Sequence, residues 1–254
     1  MQSNGGLTME PLVDQSYWDQ SYARMRPTIA PPNDPVRQWI EAAVPKAKAA
    51  ERCLEIGCFP GRYLGVLGHL GYEVNGIDLT PAIERMKSAF DAEGLRTGTF
   101  VHADFFTHPA EPRYDIVCSF GFIEHFPNWQ QALLKHTEHL KPGGLLVIET
   151  PNFRGWLQNW LHRRLDSVNL KRHHVPAMDP HAWAHLLRAH GFEVMSHGYL
   201  GRFDFWTDSP PPNGMQRIIH AVLRRATPLL VSMGEGRASL APYCTLIARK
   251  SITG

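Results

Sequence analysis

Seven short apolar runs punctuate the chain: RCLEIG (52–57), EVNGIDL (73–79), TFVHAD (99–104), YDIVCSF (114–120), GGLLVIET (143–150), FEVMSHGYL (192–200) and YCTLIARK (243–250). Segments of helical character stand between them, over 61–70, 80–92, 128–139 and 180–190. Such alternation disfavours an all-α or all-β chain, because strands joined through helices return to the same sheet in parallel. The expectation is an α/β fold around a mostly parallel sheet. Another helix is expected over 35–49, with Asp34 as N-cap and Pro35 at the first helical position, a signature repeated at Thr80–Pro81 and Asp179–Pro180. Residues 1–34 read as an N-terminal arm, and 35–254 as a single domain with insertions at about 152–178 and 201–242. Insertions of that size usually form lids or interfaces.

With 254 residues, 43% of them hydrophobic, the chain has enough apolar content for one large core. Lys plus Arg total 26 against 24 Asp plus Glu, a formal charge of +2 that is too balanced for a dedicated nucleic-acid binder. The first residues do not read as a secretory signal, and no run approaches the roughly 18 apolar residues of a membrane span. Cys53, Cys58, Cys118 and Cys244 make no CxxC pair and lie in or beside strand runs, as buried free thiols of a cytoplasmic protein would.

The first strand runs straight into a glycine turn, LEIGCFPGR, with Gly57 and Gly61 four apart. In an open parallel sheet this turn faces the ligand crevice, and glycine lets a ligand approach the backbone, although any tight strand-to-helix turn favours it too. The spacing is not the dinucleotide GxGxxG, and Pro60 removes a backbone donor that a pyrophosphate would use. Asp78 ends the second strand about 20 residues on, where a carboxylate accepts from both hydroxyls of a ribose; it equally suits the start of a helix. Asp104, followed by Phe105 and Phe106, reads as an adenine-edge acceptor beside aromatic rings or as a capped turn.

These residues, in this order, resemble the class I S-adenosylmethionine-dependent methyltransferases, a Rossmann-like superfamily. LEIGCFPG with Glu55, GIDL, HADFF, YDIVCSFGFIEHF and above all KPGGLLVIETP carry the resemblance, although Phe59 stands where most members have Gly. It implies a seven-stranded sheet in the order 3-2-1-4-5-7-6, the last strand antiparallel, with helices on both faces. It also implies S-adenosylmethionine as cofactor. Glu55, Gly57, Cys58 and Gly61 would then border its methionine part, Asp78 its ribose, and Leu79, Asp104 and Phe105 its adenine. The Ser119 and Phe120 backbone would meet its amino group, and Tyr17 and Tyr22 of the arm would close over its carboxylate end.

Methyl transfer is a displacement in which alignment and water exclusion dominate, with a general base needed when the nucleophile is a hydroxyl. Candidates for that base are His125, Glu124, His173 and His174, with an ordinary imidazole pKa suiting His125 and His174 to the task. His69, His136, His139, His185 and His190 read as solvated faces or helix ends. Base-amino methyltransferases carry a (D/N/S)PP(Y/F) motif after the fourth strand; here that place reads SFGF, and the Pro-Pro-Asn run sits at 211–213, so nucleic acid is not expected as substrate. No His, Asp or Glu set has metal-ligand spacing, so no metal is expected either. The favoured acceptor is a hydroxyl on a sugar, glycan or natural product, with a thiol or amine small molecule as the alternative and a NAD(P)-dependent oxidoreductase behind it. The apolar stretch 214–233, with Arg217, Arg224 and Arg225, reads as a lid over the substrate, a subunit contact or a peripheral membrane surface, in a monomer or homodimer.

Overall fold

The computed structural model describes residues 9–208 and 214–252. The first helices among the described residues are α1 (Gln15–Tyr22) and α2 (Pro35–Ala43). Asp34 caps α2 by accepting from the N–H groups of Val36 and Arg37. This helix stops well before residue 49, because Pro45 forces the residue ahead of it out of helical geometry, and Val44 is extended (φ −96°, ψ 127°).

The chain then alternates as its apolar runs require: β1 (Arg52–Ile56), α3 (Leu64–His69), β2 (Glu73–Asp78), a 3₁₀ turn (Pro81–Arg85) leading into α4 (Met86–Ala92), β3 (Thr97–His102), β4 (Tyr114–Phe120), α5 (Trp129–Thr137) and β5 (Leu140–Pro151). The first insertion folds as α6 (Trp156–Leu165) and α7 (Ser167–Lys171); α8 (Pro180–Ala189), β6 (Phe192–Leu200), α9 (Gly214–Ser232) and β7 (Tyr243–Lys250) complete the order. The seven strands form one sheet, β3-β2-β1-β4-β5-β7-β6. All neighbours pair in parallel except β7, which runs antiparallel to both β5 and β6. The expected α/β topology is thus present, antiparallel last strand included. The KPGG segment, however, belongs to β5: Leu140 pairs with Tyr114, and a register shift follows before Leu145 pairs with Ile116. Gly143 absorbs that irregularity at φ +79°.

Successive strand residues alternate between two apolar layers, as the period of two dictates. Leu54, Val117, Leu146 and Leu246 face α5 and α8. Cys53, Ile116, Val147 and Ile247 face α2, α3 and α4. All four cysteines are buried and free, as their place in the strands suggested. A third, smaller cluster lies within the insertions, where Leu161 and Leu165 of α6 meet Phe203 and Leu240, with Ile219 and Leu223 of α9 against them.

Candidate functional site

The glycine turn, the acids after β2 and β3 and the segment after β4 converge beyond the carboxyl ends of the strands, where open α/β sheets hold their ligands. They wall a cavity that, with its mouth, encloses about 890 Å³. Gly57 lies at its base with φ +66°, its N–H donating to the Ile77 carbonyl at 2.9 Å. Asp78 holds a fixed orientation: Oδ2 accepts from the Phe59 N–H and Oδ1 from the Thr80 N–H, both at 2.9 Å. Burial pushes its pKa up, and those two donors oppose the shift. Leu79, Asp104 and Phe105 line the same cavity, and Asp104 accepts from the Phe106 N–H through Oδ1, which leaves Oδ2 for a ligand.

Other expected residues stand behind this surface. Glu55, Cys58 and Gly61 do not line the cavity: Cys58 is buried against Gly76, and Gly61 faces Met86 and Phe90. Glu55 is buried with Oε2 unpartnered, and burial and the charge of Asp78 raise its pKa while the Leu64 N–H lowers it. Ser119 is fully buried, and Phe120 turns to Tyr63, their rings 4.9 Å apart. The wall after β4 comes instead from Gly121 and Phe122, two residues further on, because β4 keeps its strand geometry through Phe120.

The arm closes the cavity's open side. Tyr22 lines it, but Tyr17 does not; the partner of Tyr22 is Trp18, stacked on it at 5.6 Å. The reason is helical: residues four apart share a face of α1, and residues five apart do not. Burial and the charges of Asp78 and Glu55 push the Tyr22 hydroxyl well above its usual pKa. The i, i+4 spacing in YWDQSY was the signal for Trp18, whereas Met9, Val13 and Gln15, also on this wall, carried none.

A second cavity adjoins the first, lined by Tyr17, Phe153, Asn169, Arg172, His173, Trp206 and Asp208. Trp18 and His125 belong to both. His125, 7% exposed, donates from Nδ1 to the Arg172 carbonyl at 2.9 Å, and its ring lies 4.7 Å from that of His173. Burial lowers the pKa of His125 to about 4 and that of His173 to about 3, so neither is the ordinary imidazole base that the sequence suggested. His174 lines neither cavity; its backbone N–H donates to the Glu124 carbonyl. Glu124 is fully buried without a hydrogen-bond partner for either oxygen, and burial pushes its pKa up to about 8. Glu124, His125 and His173 thus form a three-residue cluster that sequence spacing did not reveal. His136 and His139 are buried too, against Phe105, rather than solvated. The second insertion reaches the site through Trp206 and Asp208, while α9 lines neither cavity and presents Met215, Ile218, Val222 and Leu229 outward. The run at 211–213 lies outside the described residues.

Comparison with known proteins fits this geometry. Residues 24–197 match the family model described as a methyltransferase domain. A ubiquinone biosynthesis O-methyltransferase from Azoarcus sp. (strain BH72) is 29% identical over 133 residues, 49% of this chain and 54% of that protein. One from Rickettsia prowazekii (strain Madrid E) is 31% identical over 100 residues, 39% of each chain. The chain therefore spans about half the length, or less, of these curated relatives. The crystal structure of a SAM-dependent methyltransferase from Archaeoglobus fulgidus shares the fold, with a TM-score of 0.57, 20% identity and coverage of 93% of this chain and 100% of that one. Among the described residues no helix is long and apolar enough to cross a membrane. The cavity thus presents a backbone-anchored carboxylate at Asp78, an oxygen of Asp104 outside its backbone hydrogen bond, and a glycine at its base. The chain belongs to the methyltransferase-domain family, with a seven-stranded Rossmann-like sheet.

Proposed function

We propose that the chain methylates a hydroxyl of a small molecule, a sugar, glycan or natural-product scaffold, held in the second cavity. One observation carries this reading: the two cavities share the wall made by Trp18 and His125, so a donor in one and an acceptor in the other meet there. The names of the relatives, ubiquinone biosynthesis O-methyltransferases, support oxygen as the acceptor atom. Ring-bearing walls from Phe153, Trp206 and Tyr17 suit a cyclic acceptor, and Asn169, Arg172 and Asp208 suit its polar substituents.

Bound S-adenosylmethionine supplies an electrophilic methyl group. Asp78 would accept from its ribose hydroxyls, Leu79 and Phe105 would flank its adenine, Asp104 would accept from the adenine amino group, and Tyr22 with Trp18 would exclude water above it. His125 and His173 each donate Nδ1–H to a backbone carbonyl, of Arg172 and Asn169, so each offers a bare Nε2 to the acceptor side. Residues 1–34 act in this reading as the cover of a single domain, with α1 as its closing element.

Two measurements test it. Asp78→Ala removes a pair of hydrogen bonds to a charged group, at about 1.5–3 kcal/mol each, and is expected to weaken S-adenosylhomocysteine binding by at least tenfold in calorimetry. In a mass-spectrometric panel of hydroxyl, amine and thiol acceptors, methylation is expected on oxygen. Transfer to nitrogen or sulfur alone would overturn the acceptor assignment.

A further inference from the structure

Two side chains adjacent in sequence and a third from the first insertion meet at the edge of the cavities: His125 lines both, His173 lines the second, and Glu124 is buried beside them. Glu124 and His125 leave β4 on a 3₁₀ turn (Ile123–His125), and His173 arrives from the end of α7. One donor atom from each lies within 4.8 Å of the others, and Nε2 of His125 stands 4.0 Å from Oε1 of Glu124. We propose that Glu124, His125 and His173 bind a divalent transition-metal ion whose open coordination positions face the acceptor cavity.

The hydrogen bonding prepares these groups as ligands. The Arg172 and Asn169 carbonyls can only accept, so the Nδ1 atoms facing them, at 2.9 and 2.8 Å, carry the protons. Each ring is thereby fixed in the tautomer whose Nε2 is a lone pair, as carbonyl partners fix ligating imidazoles in metal sites. Glu124 supplies the independent observation: its side chain is 1% exposed, and both oxygens are buried without a hydrogen-bond partner. A carboxyl group left that way is costly, and a coordinated cation removes the cost.

Two imidazole nitrogens and one carboxylate suit Zn²⁺, Fe²⁺ or Co²⁺ better than Mg²⁺ or Ca²⁺, which prefer all-oxygen sets. Ligands about 2.0–2.2 Å from one ion stand at most roughly 4.4 Å apart, so the cluster closes with small side-chain adjustments. Three protein ligands leave positions open, as in catalytic rather than structural sites. The role of those positions rests on the proposed O-methylation: a hydroxyl coordinated there is acidified, as metal-bound water is. The acceptor's O–H proton passes to water in the cavity, and the oxygen lone pair forms the new O–C bond. The methyl–sulfur bond breaks with its electron pair left on sulfur, and the metal keeps its oxidation state.

The test titrates Zn²⁺, and separately Co²⁺, into the chelator-treated full chain by calorimetry and visible absorption. One equivalent is expected to bind, with a Co²⁺ spectrum of mixed nitrogen and oxygen ligation. Removing a ligand costs at least as much as the about 10–100-fold typical of outer-shell partners, so Glu124→Gln and His173→Ala are each expected to weaken binding at least tenfold. Glu124→Gln keeps the side chain's shape, and S-adenosylhomocysteine affinity in both variants reports that the fold persists. Absence of saturable binding, or binding unchanged in both variants, overturns the site. Metal binding without any O-methylation fails the proposed function and leaves the site standing. Retained cofactor affinity without metal binding fails the site alone, and turnover indifferent to chelation overturns its role in transfer.

Discussion

Gly57 shows what a single residue contributes here: a Cβ at that position would come within 2.6 Å of Phe122 Cδ2, at a φ of +66° that L side chains rarely adopt. Glycine therefore serves both the turn and the ring that walls the cavity, and it was readable from LEIGCFPG alone. Which of two adjacent histidines faces the site was not readable. His173 and His174 differ by one residue on a short helical exit, and only the contacts of Asn169 and Glu124 separate them. Burial was equally invisible for His136, whose pKa falls to about 4 because the ring is enclosed, although the Ala132 carbonyl works against the shift. A depressed imidazole contributes stability that is present above its unfolded pKa of about 6.5 and is lost as pH falls through the folded value. His136→Phe keeps an aromatic ring against Phe105 and Phe122 and cannot protonate. Urea midpoints measured from pH 7 down to about pH 4 are expected to fall less steeply in this variant than in the parent chain. Identical pH profiles would show that His136 does not titrate with unfolding.

At the level of elements, the sheet was legible because buried parallel strands announce themselves as continuous apolar runs, and all seven lie where such runs occur. Element ends were less so: Val44 before Pro45 cuts α2 short, and β5 begins at Leu140, ahead of the apolar run, with the glycines of KPGG accommodated by a register shift. The insertions carry no strand period, and their helices have a core of their own. Leu161 and Leu165 meet Phe203 and Leu240 there, separate from the layers that flank the sheet. Such a satellite cluster opens independently of the main core. Leu161→Ala removes a fully buried side chain at a cost of about 2–5 kcal/mol, and that loss should fall locally. In hydrogen exchange followed by mass spectrometry, α6 and α9 are expected to lose protection together while β1, β4 and β5 keep theirs. Uniform loss across the sheet would mean that the insertions and the sheet unfold as one unit.

The first cavity belongs to the whole molecule rather than to one motif, since its walls come from residues 9–22, from the turn at Gly57, from Asp78, from 103–106 and from 121–126. Among the described residues the arm has no strand to anchor it, and one side chain does much of the tethering. The Arg85 guanidinium donates to the carbonyls of Tyr22, Ala23 and Met25 at 2.9, 3.3 and 2.8 Å, and it also lies over the Phe59 ring, 5.1 Å from its centroid. At the other end of the arm, the Leu12 N–H donates to the His125 carbonyl at 2.8 Å. Arg85 thus couples the glycine turn to the helix that carries Trp18 and Tyr22, without lining the cavity itself. Charged hydrogen bonds contribute about 1.5–3 kcal/mol when well formed and less where water competes, as it does for two of these three bonds, so Arg85→Ala is expected to weaken S-adenosylhomocysteine binding by roughly tenfold. Ligand binding to the native state stabilises it by about 2.7 kcal/mol at a hundred times the dissociation constant, so the ligand-induced rise in Tm should shrink by the corresponding amount. The Tm of the ligand-free chain is expected to change little, because neither core layer of the sheet loses a buried side chain. A ligand-induced shift equal to that of the parent chain would mean that the arm closes over the cofactor without this tether.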